Sequence, residues 1–285
     1  MSTQFNTYKW MSETPAIDTL SLLELTLPGT HNAGSDWQAS YPFWGPPRHW
    51  LVCQHDTFYH QLYHGARALD IRLAYEPSAP GLGKFPLHHG GKRNSRTLGN
   101  LLSDVNGFLE RYPDEFIVLD FHELSGANFD FAYFNQMIIH LLGHRIIPRR
   151  NHYLPLEQLK RISPQQRVVM AAQSHRDLNE SVFVGKVNQQ WTGEDITSAA
   201  DLKKFITQTL KNPPGYWELW ALSATSFSAL GGPVDIHVEL DEWFDPGKSD
   251  WAQQCNIIQV DFFEESRIVD FCRQANLNKV RQRSA

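Results

Sequence analysis

Apolar residues along the chain fall into two alternating patterns: short continuous runs, and segments in which they recur every three or four positions. The runs are typical of buried strands, and the helical spacing is typical of amphipathic helices. Strands are predicted at 20–27, 67–75, 85–89, 115–123, 166–173, 217–226 and 256–263. Helices are predicted at 98–109, 134–144, 198–210 and 265–276.

This alternation predicts the fold. A strand, a helix and a second strand within about 40 residues form a βαβ unit, which implies a parallel strand pair. Many such strands in 285 residues indicate an α/β fold, a single distorted TIM barrel of mostly parallel strands. We expect one domain over residues 1–285, with its chemistry at the carboxyl ends of the strands.

Composition restricts the possible functions. The formal net charge is −5, and the sequence has no basic run of the kind that binds nucleic acid. Its first residues form no apolar signal segment, and no apolar run reaches the roughly 18 residues of a membrane span. Cys53, Cys255 and Cys272 are widely separated and predict neither a metal site nor a disulfide framework. We expect a monomer, either cytoplasmic or exported without a cleaved signal.

Histidines lie next to glycines at two predicted strand ends. In LPGTHNAGS, at 27–35, a Pro-Gly pair ends the apolar run, so His31 lies on backbone that can approach a ligand closely. A turn histidine bonded to the local backbone is the structural alternative. His88 and His89 precede two glycines, and only one of them can face the barrel mouth because neighbouring strand residues point in opposite directions.

Charged residues follow the same pattern. Asp70 and Arg72 are two positions apart, which places both on one face of a strand, and Asp120 and His122 repeat this spacing. Asp261 comes late in the last apolar run. Opposite charges that face a barrel interior need each other or a ligand, so a structural ion pair is the alternative to a binding role.

Together these residue types supply what phosphodiester cleavage requires. One imidazole takes a proton from the attacking hydroxyl, and a second gives a proton to the leaving oxygen. A guanidinium can stabilise the charge that develops at phosphorus without a metal ion. A carboxylate can orient the basic imidazole through its other nitrogen. The sequence therefore predicts a phosphodiesterase site at the barrel mouth.

Four motifs, LPGTHNAGS, GARALDIRL, FPLHHGG and LLSDVNGFLERYPDEFIVLDF, occur in the order and spacing of the phosphatidylinositol-specific phospholipase C X-domain family. The chain most resembles the small bacterial, metal-independent members, over about residues 20–270. This resemblance implies a distorted TIM barrel that cleaves phosphatidylinositol, or a related inositol phospholipid, through attack by the inositol 2-hydroxyl. The implied products are diacylglycerol and 1,2-cyclic inositol phosphate, and no cofactor or calcium ion is expected.

Position by position, the resemblance implies that His31 is the general base and His89 the general acid. Arg72 lies where calcium-dependent members have an acidic metal ligand, so it would stabilise the phosphate, with Asp70 beside it. Asp261 is the candidate carboxylate that orients His31.

Six further residues are expected to bind the substrate: Asn32, His122, Gln173, Arg176, Gln189 and Trp191. Gln173 and Arg176 are included because they follow a strand end, and the others because they match or lie near family positions. The resemblance implies that Trp191 stacks on the inositol ring. Gln189 replaces an acidic residue that binds sugar hydroxyls, which leaves the head group open.

A phospholipid substrate requires contact with a membrane surface. Two aromatic loops, 36–50 and 241–251, can supply this contact because aromatic rings favour the headgroup region. Trp44 and Trp243 are predicted to touch the membrane. The alternative is that these rings pack on the barrel as a lid.

Two other functions stay open at this point. One is a glycerophosphodiester or sphingomyelin-type phosphodiesterase, also a two-histidine barrel, which typically binds magnesium through carboxylates. The other is a barrel that binds inositides without turnover. Arg72 argues against the first, and the presence of both His31 and His89 argues against the second.

Overall fold

Twelve β-strands and nine α-helices occur in residues 5–284, the part of the chain that the computed structural model describes. The strands are β1 (Leu27–Thr30), β2 (Ala68–Leu73), β3 (Pro86–His89), β4 (Lys92–Thr97), β5 (Ile117–Leu124), β6 (Val168–Ala172), β7 (Phe183–Val184), β8 (Asn188–Gln190), β9 (Trp220–Ser223), β10 (Ser226–Ser228), β11 (Gly232–Val234) and β12 (Ile257–Val260). The helices are α1 (Arg48–Leu51), α2 (Phe58–His64), α3 (Leu98–Arg111), α4 (Phe131–Leu142), α5 (Leu156–Ile162), α6 (Ala199–Thr209), α7 (His237–Trp243), α8 (Trp251–Gln254) and α9 (Ile268–Arg283).

Eight of the strands form one parallel sheet in the order β7-β6-β5-β2-β1-β12-β9-β8. The sheet curls into a barrel. Within residues 5–284 its two end strands do not pair with each other, so this barrel is not completely closed. The predicted distorted TIM barrel of mostly parallel strands is therefore confirmed.

Local sequence explains most of these elements. All residues of β6 and β12 are buried, as expected for parallel strands covered by helices on the outside. Helix α3 buries the apolar face that its spacing predicts, and Thr97 and Asn100 form a capping box at its start. Helix α6 begins at the predicted cap, where the Ser198 hydroxyl accepts a hydrogen bond from the Asp201 N–H.

The apolar run 20–27 is not a strand, which corrects our prediction. Strand β1 begins only at the end of this run, and the Pro-Gly pair lies inside the strand. The leucines upstream are buried in turns, and the Asn256 side chain donates to the carbonyls of Leu22 and Leu25 (2.9 Å each). A distant amide thus satisfies backbone groups that would otherwise require a sheet partner.

The run 85–89 is a strand, but not one of the barrel. It forms β3, which lies antiparallel to β2 and to β4. The parallel pair is instead β2 with β5. Because β3 joins β2 at Leu73, the last residue of that strand, the β3–β4 hairpin sits at the carboxyl end of the barrel.

The last helix extends beyond the predicted 265–276, to Arg283. Its buried face continues through polar residues, which hydropathy does not reveal. Asn276 exchanges two hydrogen bonds with the Thr26 backbone (2.7 and 2.9 Å), and Lys279 Nζ donates to the Glu24 carbonyl (2.8 Å). In residues 5–284, no helix combines the length and the apolar character needed to cross a bilayer.

Candidate active site

His31 and Asp261 form a hydrogen-bonded pair at the carboxyl ends of two neighbouring strands. Strands β1 and β12 pair with Thr30 opposite Val260, so the next residue of each strand emerges beside the other. His31 Nδ1 lies 2.7 Å from Asp261 Oδ1. In the neutral imidazole, a carboxylate acceptor at this position favours the tautomer with the hydrogen on Nδ1 and the lone pair on Nε2. This geometry suits a base oriented by a carboxylate.

Backbone contacts hold His31 in place. Its N–H donates to the Val260 carbonyl (3.0 Å), and the Gln54 side chain donates to the carbonyls of His31 and Val260 (2.8 and 3.0 Å). Asn32 follows in the left-handed region with a φ of 43°, and its N–H donates to Asp70 Oδ2 (3.0 Å). The His31 loop is thereby tied to both neighbouring strands.

His89 faces His31 from the appended hairpin. The ring centroids are 6.2 Å apart, and the ring planes are nearly perpendicular. His89 Nδ1 donates to the Leu51 carbonyl (2.8 Å), which leaves Nε2 available to a ligand. Burial, and after it the nearby His31, lowers the pKa of His89 to about 4. His88 points the other way and contacts the Ser125 hydroxyl through Nε2 (3.0 Å), as strand alternation predicts.

Arg72 and Asp70 form a bidentate ion pair on one face of β2. Arg72 Nε lies 3.2 Å from Asp70 Oδ1, and Nη2 lies 2.8 Å from Oδ2. Burial disfavours both charges, but the attraction between the two charged groups outweighs the effect of burial. The pKa of Asp70 therefore lies well below its ordinary value, and the pKa of Arg72 lies above its ordinary value. Since both oxygens of Asp70 accept from Arg72, the guanidinium competes with any metal ion for this carboxylate.

A second histidine–carboxylate pair lies on the neighbouring strand β5, where Asp120 is opposite Asp70. His122 Nδ1 lies 3.5 Å from Asp120 Oδ2, and within residues 5–284 these buried polar atoms have no hydrogen-bond partner. Burial raises the pKa of Asp120 to about 6. Burial lowers the pKa of His122, but the nearby carboxylates outweigh it and raise that pKa above its ordinary value. Buried polar atoms without partners favour a ligand at this position.

Amide side chains line another part of the mouth. Gln189 in β8 donates to Gln259 in β12 (2.9 Å), and Trp191 follows β8 with its ring about half exposed. Asn32 is buried. Its Oδ1 accepts from the Ser35 hydroxyl (3.1 Å), whereas its Nδ2 has no partner in the described part of the chain. Gln259 is a neighbour of the site that the sequence analysis missed.

Within residues 5–284, Arg176 makes no ion pair or hydrogen bond with His31, His89 or Arg72, so its role in substrate binding stays a prediction. Its side chain is almost fully exposed and approaches Asp177 at 3.8 Å. Gln173, at the carboxyl end of β6, is exposed and lines a separate cavity with His175. The His175 ring stacks on Phe131 of α4 at a centroid distance of 3.7 Å. This contact holds the loop after β6 against the first residue of α4.

The two aromatic loops differ in exposure. Trp44 is 84% exposed and makes an edge contact with Phe43 at 5.1 Å. Trp243 is only 5% exposed and packs against Trp251, so the prediction that it touches a membrane is wrong and the packing alternative holds there. Leu230 between β10 and β11, which the sequence analysis missed, is 90% exposed.

Cys53 is a further neighbour of His31, and sequence spacing gives no sign of it. The side chain is fully buried, and Sγ lies 3.6 Å from His89 Nδ1. One ligand atom each from His31, Cys53 and Asp261 lies within 4.8 Å of the other two. Burial raises the pKa of the Cys53 thiol. All three cysteines are free, as predicted.

Comparisons with known proteins agree with this fold. No protein-family model matches the chain. The chain is 28% identical over 140 residues to 1-phosphatidylinositol phosphodiesterase of Listeria monocytogenes, a match that covers 47% of the chain and 39% of that protein. It is 34% identical over 134 residues to the variant-surface-glycoprotein phospholipase C of Trypanosoma cruzi, covering 45% of the chain and 34% of that protein. The chain thus matches well under half the length of either curated relative.

A solved structure extends the likeness to nearly the whole chain. The phosphatidylinositol-specific phospholipase C of L. monocytogenes superposes with a TM-score of 0.73 at 20% identity, covering 95% of this chain and 99% of that one. The resemblance to the phosphatidylinositol-specific phospholipase C X-domain family is confirmed. In this X-domain fold, the motifs quoted from the sequence bring His31, Arg72 and His89 to one barrel mouth.

Proposed function

We propose that the chain cleaves the phosphodiester of phosphatidylinositol, or of a related inositol phospholipid, and releases diacylglycerol. The observation that carries the proposal is that His31 and His89, from distant parts of the chain, face each other at 6.2 Å. Arg72 is tied to the same loop, because its partner Asp70 accepts from the N–H of Asn32, the residue after His31. The names of the two curated relatives support this substrate class. The chain would act as one catalytic domain over residues 1–285, with its core at about 20–270.

His31 is the general base of this mechanism. Its Nε2 takes the proton of the inositol 2-hydroxyl, and that oxygen attacks phosphorus while the bond to the glycerol oxygen breaks. Asp261 keeps the hydrogen of the His31 imidazole on Nδ1 and stabilises the imidazolium that forms. The product is 1,2-cyclic inositol phosphate. Attack by a hydroxyl adjacent to the phosphate removes much of the entropic barrier.

His89 is the general acid and protonates the glycerol oxygen as diacylglycerol leaves. In the free protein its pKa is about 4, so at neutral pH the ring is mostly deprotonated. A bound phosphodiester anion stabilises the imidazolium and raises this pKa. Substrate binding would therefore supply the proton at the position where the reaction uses it.

Arg72 stabilises the phosphate. The guanidinium donors that do not contact Asp70 are free to bind phosphate oxygens, and charge-assisted hydrogen bonds of this kind are strong. Asp70 fixes the position of the guanidinium through both of its oxygens. We expect no calcium requirement, because both oxygens of the Asp70 carboxylate already accept hydrogen bonds from Arg72.

Head-group binding would rest on polar side chains around the inositol ring. Trp191 offers a stacking surface, and Gln189 offers an amide that both donates and accepts hydrogen bonds. The side chain of His122 is partly exposed and can contact an inositol hydroxyl. The unpartnered atoms of Asn32 and Asp120 are buried, so they would reach the head group through a bridging water. This set would select a polyhydroxylated head group.

Access to a lipid requires a membrane-facing rim, which we define as Phe43, Trp44 and Leu230. All three side chains are exposed by more than four-fifths. The Trp50 indole donates to the Leu230 carbonyl (3.1 Å), which joins the two loops that carry them. The rim would bind the membrane surface transiently, because exposed aromatic and apolar side chains partition into the headgroup region.

Phosphorus NMR of the full chain with phosphatidylinositol vesicles tests this proposal. We expect the signal of 1,2-cyclic inositol phosphate, and a rate about 10²–10⁴-fold lower in His31→Ala. His140→Ala, which alters an exposed histidine of α4, is the matched control and should keep the rate. Lipid binding without any product would favour the non-catalytic inositide-binding alternative. Activity that requires magnesium would favour the other phosphodiesterase class.

A further inference from the structure

Cys53 lies among the proposed catalytic residues but has no part in the proposed reaction. Its sulfur is within 3.6 Å of His89 Nδ1, and it forms a compact three-residue group with His31 and Asp261. A phosphodiester cleavage by two histidines needs no thiol. A thiol, an imidazole and a carboxylate that converge in this way are instead the donor types of a transition-metal site.

The spacing of the three groups suits a small, borderline-soft ion. Two ligands of one tetrahedral zinc ion lie about 3.3–3.8 Å apart. Donors at the 4.8 Å limit would have to approach by about 1 Å. His31 Nδ1 and Asp261 Oδ1, now 2.7 Å apart, would have to separate by about 0.5 Å to make room for the ion. The charges also balance. A thiolate and a carboxylate neutralise Zn²⁺, and the nearby Arg72 is already paired with Asp70. A hard ion such as calcium prefers an all-oxygen site, which this is not.

We propose that His31, Cys53 and Asp261 form an inhibitory site for Zn²⁺. Binding breaks the S–H bond of Cys53, forms a Zn–S bond and releases the thiol proton to solvent. The hydrogen on His31 Nδ1 moves to Nε2, the Nδ1 lone pair binds zinc beside Asp261, and water fills the remaining position. The ion blocks the base that the phosphodiester reaction requires, so zinc and substrate exclude each other. The inhibitory part of this inference rests on the proposed function, whereas the metal site itself does not.

A second cluster in the same region is the competing site and supplies a control. His55 lies close to Glu264 and Glu265 on the outside of the mouth, and its ligand atoms are also close enough for one ion. This cluster contains no thiol and is more exposed. A metal bound there would not contact His31, and its spectrum would lack a sulfur signature.

A cobalt titration of the full chain without lipid tests the metal site. Co²⁺ replaces Zn²⁺ in such sites, and a thiolate ligand adds a charge-transfer band in the near ultraviolet. We expect this band in the unmodified chain and in the controls Cys255→Ala and His55→Ala, and its loss in Cys53→Ala and Cys53→Ser. Circular dichroism establishes that each variant is folded. The absence of the band from the unmodified chain, or its persistence without Cys53, would overturn the inference.

Zinc inhibition of lipid cleavage tests the regulatory part. Each variant is compared with its own zinc-free rate, so that any direct effect of the substitution cancels. We expect half-inhibition to require at least tenfold more zinc in Cys53→Ala, and inhibition in the unmodified chain to weaken as lipid increases. Equal zinc sensitivity in both proteins would exclude inhibition through Cys53. If no phosphodiesterase activity is found, the cobalt spectrum still decides the site and the proposed function alone fails.

Discussion

Two arginine–carboxylate pairs lie at opposite ends of β2 and differ in how completely they are hydrogen-bonded. At the amino end, Arg67 Nε and Nη2 donate to Glu115 (2.9 and 2.6 Å), and both side chains are fully buried. The remaining hydrogen bonds of the Arg67 guanidinium go to backbone carbonyls, those of Thr7, Tyr8, Leu62 and Ala66. Glu115 in turn accepts from the N–H groups of Met11 and Ser12.

Arg72 at the carboxyl end is paired but not enclosed. In the described part of the chain its guanidinium donates to Asp70 alone, and its side chain is 16% exposed. Similar ion pairs at the two ends of β2 thus differ. At the base of the barrel all guanidinium donors have partners, and at the mouth some donors are unused. A guanidinium whose N–H groups all have acceptors within the protein can only stabilise the fold. A guanidinium with unused N–H groups can also bind an anion.

Replacing Arg67 with lysine should have the largest effect. Arg67→Lys keeps the charge opposite Glu115 but removes the planar guanidinium, whose N–H groups donate to four backbone carbonyls. Several buried acceptors are then left without a hydrogen bond. We expect the free energy of unfolding to fall by about 3 kcal/mol, measured by urea denaturation. The rate per folded molecule should stay within about twofold. A stability loss below about 1 kcal/mol would show that the network is not closed in the way described.

Arg72→Lys is the matched substitution at the mouth. It should lower the cleavage rate much more than the stability. Lysine keeps the charge opposite Asp70 and loses one of two hydrogen bonds, so the unfolding free energy should fall by only about 1 kcal/mol. The loss of a phosphate-binding donor should lower kcat about 10²-fold with phosphatidylinositol vesicles. A variant that lost stability as Arg67→Lys does, while retaining its rate, would remove the distinction between the two pairs.

The sequence predicts these pairs to different extents. Asp70 and Arg72 are two positions apart, so strand geometry alone places them on one face. Arg67 and Glu115 are 48 positions apart, and the N–H donors to Glu115 come from the amino-terminal segment, so no local pattern joins them. His31 and His89 were identified by their glycine-flanked motifs, although β3 is not a barrel strand. Cys53 was missed because its contacts form only when a loop folds back onto two strand ends.

The same reasoning explains the errors in the fold. Hydropathy predicts where the chain is buried, but it does not distinguish a strand from buried turns when a distant residue such as Asn256 satisfies the backbone. Likewise, Trp44 and Trp243 lie in similar aromatic segments. Only the packing of Trp243 against Trp251 shows that one ring belongs to the core and the other to the surface.

The open pair at the mouth also predicts how anion binding depends on pH. A phosphodiester anion beside Arg72 raises the pKa of His89 from about 4, so the complex holds more protons than the free protein. Affinity should therefore rise as pH falls from 7 toward 5, by up to about tenfold per unit. Calorimetry with inositol 1,2-cyclic phosphate, which keeps a single charge in this range, measures the effect. His89→Asn should remove most of this slope, and any slope that remains reports other ionisable groups of the mouth, among them Asp120 and His122.

The two ends of the barrel should also differ in membrane binding. Trp44→Ala removes an exposed ring at the mouth and should weaken binding to phosphatidylinositol vesicles about tenfold or more, since burying an aromatic side chain contributes about 1.5–3 kcal/mol. Trp217 is 76% exposed but precedes β9, at the amino end of the strands. Trp217→Ala is therefore the matched control and should leave binding unchanged in a sedimentation assay. Equal losses in both variants would mean that no single face meets the membrane.

The smallest expected effect is that of a chelator. If the open Arg72 guanidinium supplies the positive charge at phosphorus, removing divalent ions leaves that charge in place. The cleavage rate with EDTA should then stay within about twofold of the untreated rate, measured on the same vesicles, or rise if contaminating zinc occupied the Cys53 site. A loss of activity that added calcium restores would mean that Arg72 pairs with Asp70 only for stability. The two ends of β2 would then differ in exposure but not in role.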